Sequence, residues 1–142
     1  MILANNKRAL RGYDLHERYE AGISLLGWEV KGILAGQAQL LDSYVSIHRG
    51  EAWLVNCHIA PQANVNLASG ADPKRRRKLL LRAAELRKID GKHRRTGMTI
   101  MVVDLRKAGR KIKAVIALAK GRKLHDKRRK IEERDWRRNK GW

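Results

Sequence analysis

The sequence predicts a mainly β protein, a small β-barrel with flanking helices and a basic C-terminal tail outside it. Three observations carry that expectation. Five short segments show the apolar alternation or short apolar runs of strands, separated by glycine-bearing turns. One longer segment repeats its apolar residues at helical spacing. After Ala119 the composition turns strongly basic: residues 120 to 142 hold eleven Lys or Arg against four acids, with Leu124, Ile131, Trp136 and Trp142 as the sizeable apolar groups. No core can be built from that, so a domain over residues 1–120 and a tail over 121–142 that stays disordered until bound are expected.

Tyr13, Leu15, Tyr19, Ala21, Ile23 and Leu25 fall on odd positions and predict a strand, bulged at Gly22. From Trp28 to Ala35 apolar residues at 30, 33 and 34 change the rhythm, and Gly36 stops what reads as a short helix. Leu40 to His48 and Ala52 to Ile59 flank Arg49-Gly50-Glu51, the pattern of a β-hairpin. The polar stretch from Pro61 to Gly70 reads as a loop. Asp72 and Pro73 can then cap and open a helix, which Leu79, Leu80, Ala83, Leu86 and Ile89 continue until Asp90-Gly91. Met98 to Leu105 and Ile112 to Ala119 predict a second hairpin, tipped by residues 107–110.

Lys and Arg number 33 against 14 Asp and Glu, a formal charge of +19 on 142 residues. Such a chain repels itself unless a polyanion is near, so nucleic acid is the first partner to consider and an anionic membrane second. The long helix lacks the broad apolar face a membrane binder needs, which favours nucleic acid. Cys57 stands alone, so no intrachain disulfide is possible, and no signal peptide or transmembrane span can be drawn; a cytoplasmic protein is expected.

Catalysis finds little support. His16, His48, His58, His93 and His125 show no metal-ligand spacing with one another or with Cys57, and no phosphate-cradling glycine loop is present. His58 beside Cys57 reads as an ordinary strand histidine, and neither an enzyme nor a cofactor is expected. The cations carry more information. Lys74 to Lys78, with Arg77 and Lys78 among them, would form a phosphate site at the expected helix N-terminus. Tyr13, Tyr19, Trp28, Tyr44 and Trp53 are candidate base-stacking aromatics, and Trp136 has no core to enter.

An ordered set of motifs then points further: Asn6-Lys7-Arg8-Ala9, Tyr19-Glu20-Ala21-Gly22, Gly27-Trp28-Glu29-Val30-Lys31, Asp42-Ser43-Tyr44, Arg77-Lys78-Leu79-Leu80-Leu81, Ala119-Lys120-Gly121 and His125-Asp126-Lys127-Arg128. From Asn6 to about Trp136 this resembles the SsrA-binding protein family, also called small protein B. The resemblance implies an oligonucleotide-binding-type barrel that binds the transfer-RNA-like domain of transfer-messenger RNA and delivers it to stalled ribosomes in trans-translation. It implies a tail that folds in the empty messenger channel by the small-subunit decoding centre, and elongation factor Tu as a further partner of a monomeric protein.

Carried over by position, Glu20, Leu80 and Lys113 would hold the RNA, beside the signature Asn6, Lys7 and Arg8. Lys113 would meet phosphate, Leu80 would pack the helix that shapes the site, and Glu20 would order basic neighbours or accept from a base. Lys120, Lys123, His125, Asp126, Lys127, Arg128, Ile131 and Trp136 would belong to the barrel exit and the ribosome-binding tail. Two departures stand out: Asp14 where the family has an aromatic residue, and Gly32 where it usually has serine. Composition alone leaves a general structured-RNA binder or ribosomal protein as the alternative.

Overall fold

Residues 1–61 and 72–121 are described by a computed structural model. In chain order they form β1 (Ile2–Asn5), α1 (Lys7–Leu10), β2 (Tyr13–Ile23), α2 (Gly27–Leu34), β3 (Ala38–Gln39), β4 (Tyr44–His48) and β5 (Glu51–Val55). There follow β6 (His58–Ile59), β7 (Arg77–Leu80), α3 (Ala83–Thr96), β8 (Thr99–Ala108) and β9 (Lys111–Gly121). Seven strands make one antiparallel sheet in the order β1-β8-β9-β2-β7-β5-β4, while β3 and β6 pair as a separate ribbon. Because β4 also lies against β8, the sheet curls into a barrel. Ala21, Ile33, Leu54, Leu79, Ile89, Leu105, Ile116 and Leu118 fill its interior at 2% exposure or less.

Both hairpins are present, with Arg49 and Gly50 at positive φ in the first turn and Gly109 in the second; β4 starts only at Tyr44, because the chain turns between Leu40 and Ser43, and Lys107 and Ala108 extend β8 instead of forming the tip. β5 is shorter than expected because Asn56 turns the chain at φ 63, which sends His58 and Ile59 to the ribbon. In β2 the register breaks between Leu15 and Arg18 rather than at Gly22, which stays paired on both sides. β1 and α1 add elements the sequence did not announce, and β1 is held by β8 from the far end of the chain.

The segment after Asp72 departs most from expectation. Asp72 and Pro73 open a turn instead of a helix: the Arg75 amide donates to the Asp72 carbonyl at 3.2 Å and the Lys74 amide to Asp72 Oδ1 at 3.0 Å. Arg77–Leu80 is then strand, seated between β2 and β5, both of which need a partner there for their backbone groups. The helix starts at Ala83, where Glu85 accepts from the Arg82 amide, and passes through Gly91. Asp90 pairs with Arg94 one turn on at 3.0 Å, and the stop comes at Gly97 in the left-handed conformation (φ 70).

α2 packs on the β3–β6 ribbon through Gly32. A Cβ there would lie 2.8 Å from Ile59 Cγ2 and 3.0 Å from the Ala60 carbonyl oxygen, so glycine is what lets helix and ribbon meet. Gly32→Ala is expected to cost roughly 1–3 kcal/mol through overpacking, read as a lowered urea midpoint at unchanged slope. Cys57 is fully buried beside the ribbon, and burial pushes its thiol up to about 11 although Arg77 pulls the other way. This fits an inert core residue. Among the described residues no helix is long and apolar enough to cross a membrane.

Candidate nucleic-acid interface

Strand register assembles the site. Gly22 of β2 faces Leu80 on one side and Lys113 on the other, and Lys113 faces Arg106 of β8. Partners across a ladder share one face of the sheet, so Arg106, Lys113, Gly22 and Leu80 form a row across four strands on the outside of the barrel. Glu20, two residues before Gly22, shares that face, and its carboxylate lies 3.8 Å from Lys113 Nζ. The row borders an open cavity of about 400 Å³ lined by Gly22, Ile23, Leu25, Val30, Leu80 and the tip of the β8–β9 hairpin from Arg110 to Lys113.

Leu80 differs from its expected role. It stands on a strand, 54% exposed, and its side chain is an apolar platform at the cavity, across from Val30 of α2. Gly22 is there because a side chain would press on it, the Leu80 Cβ lying 3.2 Å from where a Cβ would be. The arrangement offers an apolar surface for a base or sugar, cations for phosphate, and one carboxylate that orients Lys113. Arg106 is held by bidentate hydrogen bonds of 2.8 Å to the buried Asp104, and these hydrogen bonds raise its pKa. Arg106 gave no signal in the sequence, and Gly22 stood out only as an expected bulge and a motif residue; the register is what places both in the row.

Arg77 also requires correction. It is fully buried, so it cannot be a phosphate ligand on the surface. Its Nε donates to Glu29 Oε2 at 2.5 Å and its Nη1 to the Cys57 carbonyl at 2.5 Å, while Arg75 Nη2 donates to Glu29 Oε1 at 2.6 Å. Strand alternation divides the basic run: Arg77 points inward, Arg76 lies 5.6 Å above the Trp53 ring, and Lys78 reaches Glu51 at 3.3 Å. The helix N-terminal phosphate site expected over Lys74 to Lys78 therefore does not exist.

The remaining positions lie apart from the row. Asn6 is buried, donates from Nδ2 to the Val102 carbonyl at 2.8 Å, and sits at the head of α1, where Lys7 and Arg8 are exposed. Tyr13 and Lys120 meet where β2 begins and β9 ends, Tyr13 opposite Gly121 and Lys120 opposite Asp14. Lys123, His125, Asp126, Lys127, Arg128, Ile131 and Trp136 lie outside the described residues, as does all but the first residue of the stretch from Pro61 to Gly70 expected to be a loop.

A curled antiparallel barrel with a cationic outer row beside an apolar platform defines a nucleic-acid-binding barrel. The family model described as SmpB protein matches residues 3–141, and the chain belongs to that family. It is 49% identical over 138 residues to an SsrA-binding protein of Coxiella burnetii, covering 97% of this chain and 87% of that one. A second SsrA-binding protein, from Thiobacillus denitrificans, is 46% identical over 140 residues, covering 99% and 94%. Among solved structures, a chain from work titled "tmRNA-SmpB: a journey to the center of the bacterial ribosome" superposes with a TM-score of 0.69 at 39% identity, covering 84% of this chain and 83% of that one.

Proposed function

We propose that this chain is the transfer-messenger RNA partner in bacterial trans-translation, a non-catalytic cytoplasmic adaptor without a cofactor of its own. Its barrel binds the transfer-RNA-like domain and its tail reads the empty messenger channel of a stalled ribosome. The observation that carries the first half is the outer row: Glu20, Leu80 and Lys113, distant in sequence, meet on one face beside a cavity. SsrA-binding relatives that align along nearly the whole chain support the same assignment. Residues 121–142 would form the ribosome-facing segment, with elongation factor Tu joining the complex and the protein acting as a monomer.

The test is a competition assay at physiological salt, in which the transfer-RNA-like domain is bound and excess bulk transfer RNA is added. Retained binding supports recognition of that RNA's shape; displacement in proportion to competitor means that charge dominates and the protein is a general RNA binder. Lys113→Glu is expected to weaken binding of this domain by about 5- to 100-fold, as it removes a phosphate contact and sets two carboxylates side by side. Filter binding checks it, and an unchanged unfolding temperature shows that the half-exposed site tolerates the change. An affinity equal to that of the unaltered protein would remove Lys113 from the interface.

A further inference from the structure

A second cavity lies away from the outer row, on the β3–β6 ribbon. Its volume is about 250 Å³ and its lining is Gln39, Leu41, Asp42, Asn56, His58 and Lys74. Sites for drug-sized ligands start at about 300 Å³, so this one fits a single ring system. Two observations mark it as more than a surface dimple. His58 Nδ1 is buried without a hydrogen-bond partner, one of two such side-chain atoms among the described residues. Asn56 is held at φ 63, and its Nδ2 donates to the Asp42 carbonyl at 3.1 Å, which ties the two walls together.

The lining is a set of planar hydrogen-bonding groups around a short aliphatic wall. Asp42 and Gln39 are exposed at the rim, Leu41 is 48% exposed, and Lys74 stands outside with its backbone fixed by Asp72. A carboxylate accepts from two adjacent N–H donors, and among the four RNA bases guanine presents such a pair, N1–H and the exocyclic amine. On its other edge O6 and N7 accept, which suits the Gln39 amide. Lys74 would then neutralise the attached phosphate.

We propose that this cavity takes one unstacked guanine base of a bound RNA, a contact separate from the Lys113 row. The assignment rests on the RNA-binding function above. Flipped bases are read in this way, by hydrogen bonds to an exposed edge and a side wall that excludes water.

The experiment titrates the full-length protein with guanosine 5′-monophosphate, and separately with the adenosine, cytidine and uridine monophosphates, while backbone amide resonances are followed by NMR. The expected result is saturable shifts at Gln39–Asp42 and Asn56–Ile59 with guanosine monophosphate at millimolar concentration, and at least about tenfold weaker shifts with the other three. Asp42→Asn, an isosteric change at an exposed position, should abolish the preference and lower affinity for the transfer-RNA-like domain by about 5- to 100-fold. His58→Gln, with its unfolding temperature measured alongside, is the second variant and should weaken guanosine monophosphate in the same sense. Equal shifts with all four nucleotides, shifts confined to the Lys113 row, or an Asp42→Asn protein with full preference would overturn the proposal. Failure of the function is separable: a protein that binds guanosine monophosphate here but not transfer-messenger RNA keeps this pocket and loses that assignment.

Discussion

Replacing Glu29 with alanine is expected to lower stability by about 3–5 kcal/mol, because it leaves the Arg77 guanidinium buried without its counter-charge. Glu29 is fully buried and ties the head of α2 to the stretch that leads into β7: its carboxylate accepts from Arg75, from Arg77 and from the Leu26 amide at 2.7 Å. Thermal unfolding should fall by roughly 10–20 °C. The pairing of Glu29→Leu with Arg77→Met should recover much of the loss, since an apolar pair needs no desolvation of charge. Failure of the double variant to recover would mean that Arg77 matters for its bonds to the Cys57 and Pro73 carbonyls rather than for its charge.

The pH dependence follows from the same cluster. Burial pushes the Glu29 carboxyl up, but the hydrogen bonds from Arg75, the Leu26 amide and Arg77 outweigh it and hold the group below its ordinary range. A depressed folded pKa means stability that is fully present above the unfolded value, about 4.3, and lost as pH falls through the folded value. The stability gap between the unaltered protein and Glu29→Gln should therefore be widest near neutral pH and narrow once the solution is more acidic than about pH 4. Urea titrations at several pH values measure it, and a gap constant with pH would show that the folded and unfolded carboxyls titrate alike.

How much of this was legible in the sequence depended on how far apart the interacting residues lie. β4 with β5 and β8 with β9 are hairpins, whose partners sit a few residues away and whose alternation has one consistent solution. β7 is different. Leu79, Leu80, Ala83, Leu86 and Ile89 fit a helical period, and only the open slot between β2 and β5, set by residues far off in the chain, selects strand for Leu79 and Leu80. The same non-locality hid β1, whose three apolar residues mean nothing until β8 is beside them.

The site divides in the same way. Glu20, Leu80 and Lys113 came from family resemblance, and the register supplied what resemblance lacked, namely that Gly22 stands between Leu80 and Lys113 and that Arg106 extends the row. Arg77 is hidden in the sequence because a run of four cations looks like a solvated face. In an extended backbone alternate members of such a run must point opposite ways, and Glu29 on α2 is the acid that makes the inward one tolerable.

Ending the chain after Gly121 should separate the two halves of the proposed function. Gly121 is the last residue of β9 and pairs with Tyr13, so the cut leaves every described strand pair in place and the Arg106–Lys113–Gly22–Leu80 row intact. The segment removed carries ten Lys and Arg against four acids, a net +6 of the chain's +19, so long-range attraction weakens without loss of the shaped surface. Affinity for the transfer-RNA-like domain should therefore drop by no more than about tenfold at physiological salt, with a shallower dependence on salt concentration. Rescue should fall to background, measured as release of stalled chains in a purified translation system programmed with a messenger lacking a stop codon. The two readouts must part company for the division of labour to hold. A truncated protein that loses most of its affinity for the isolated RNA would place the principal contact in the tail, and one that still rescues would leave the tail without the messenger-sensing role.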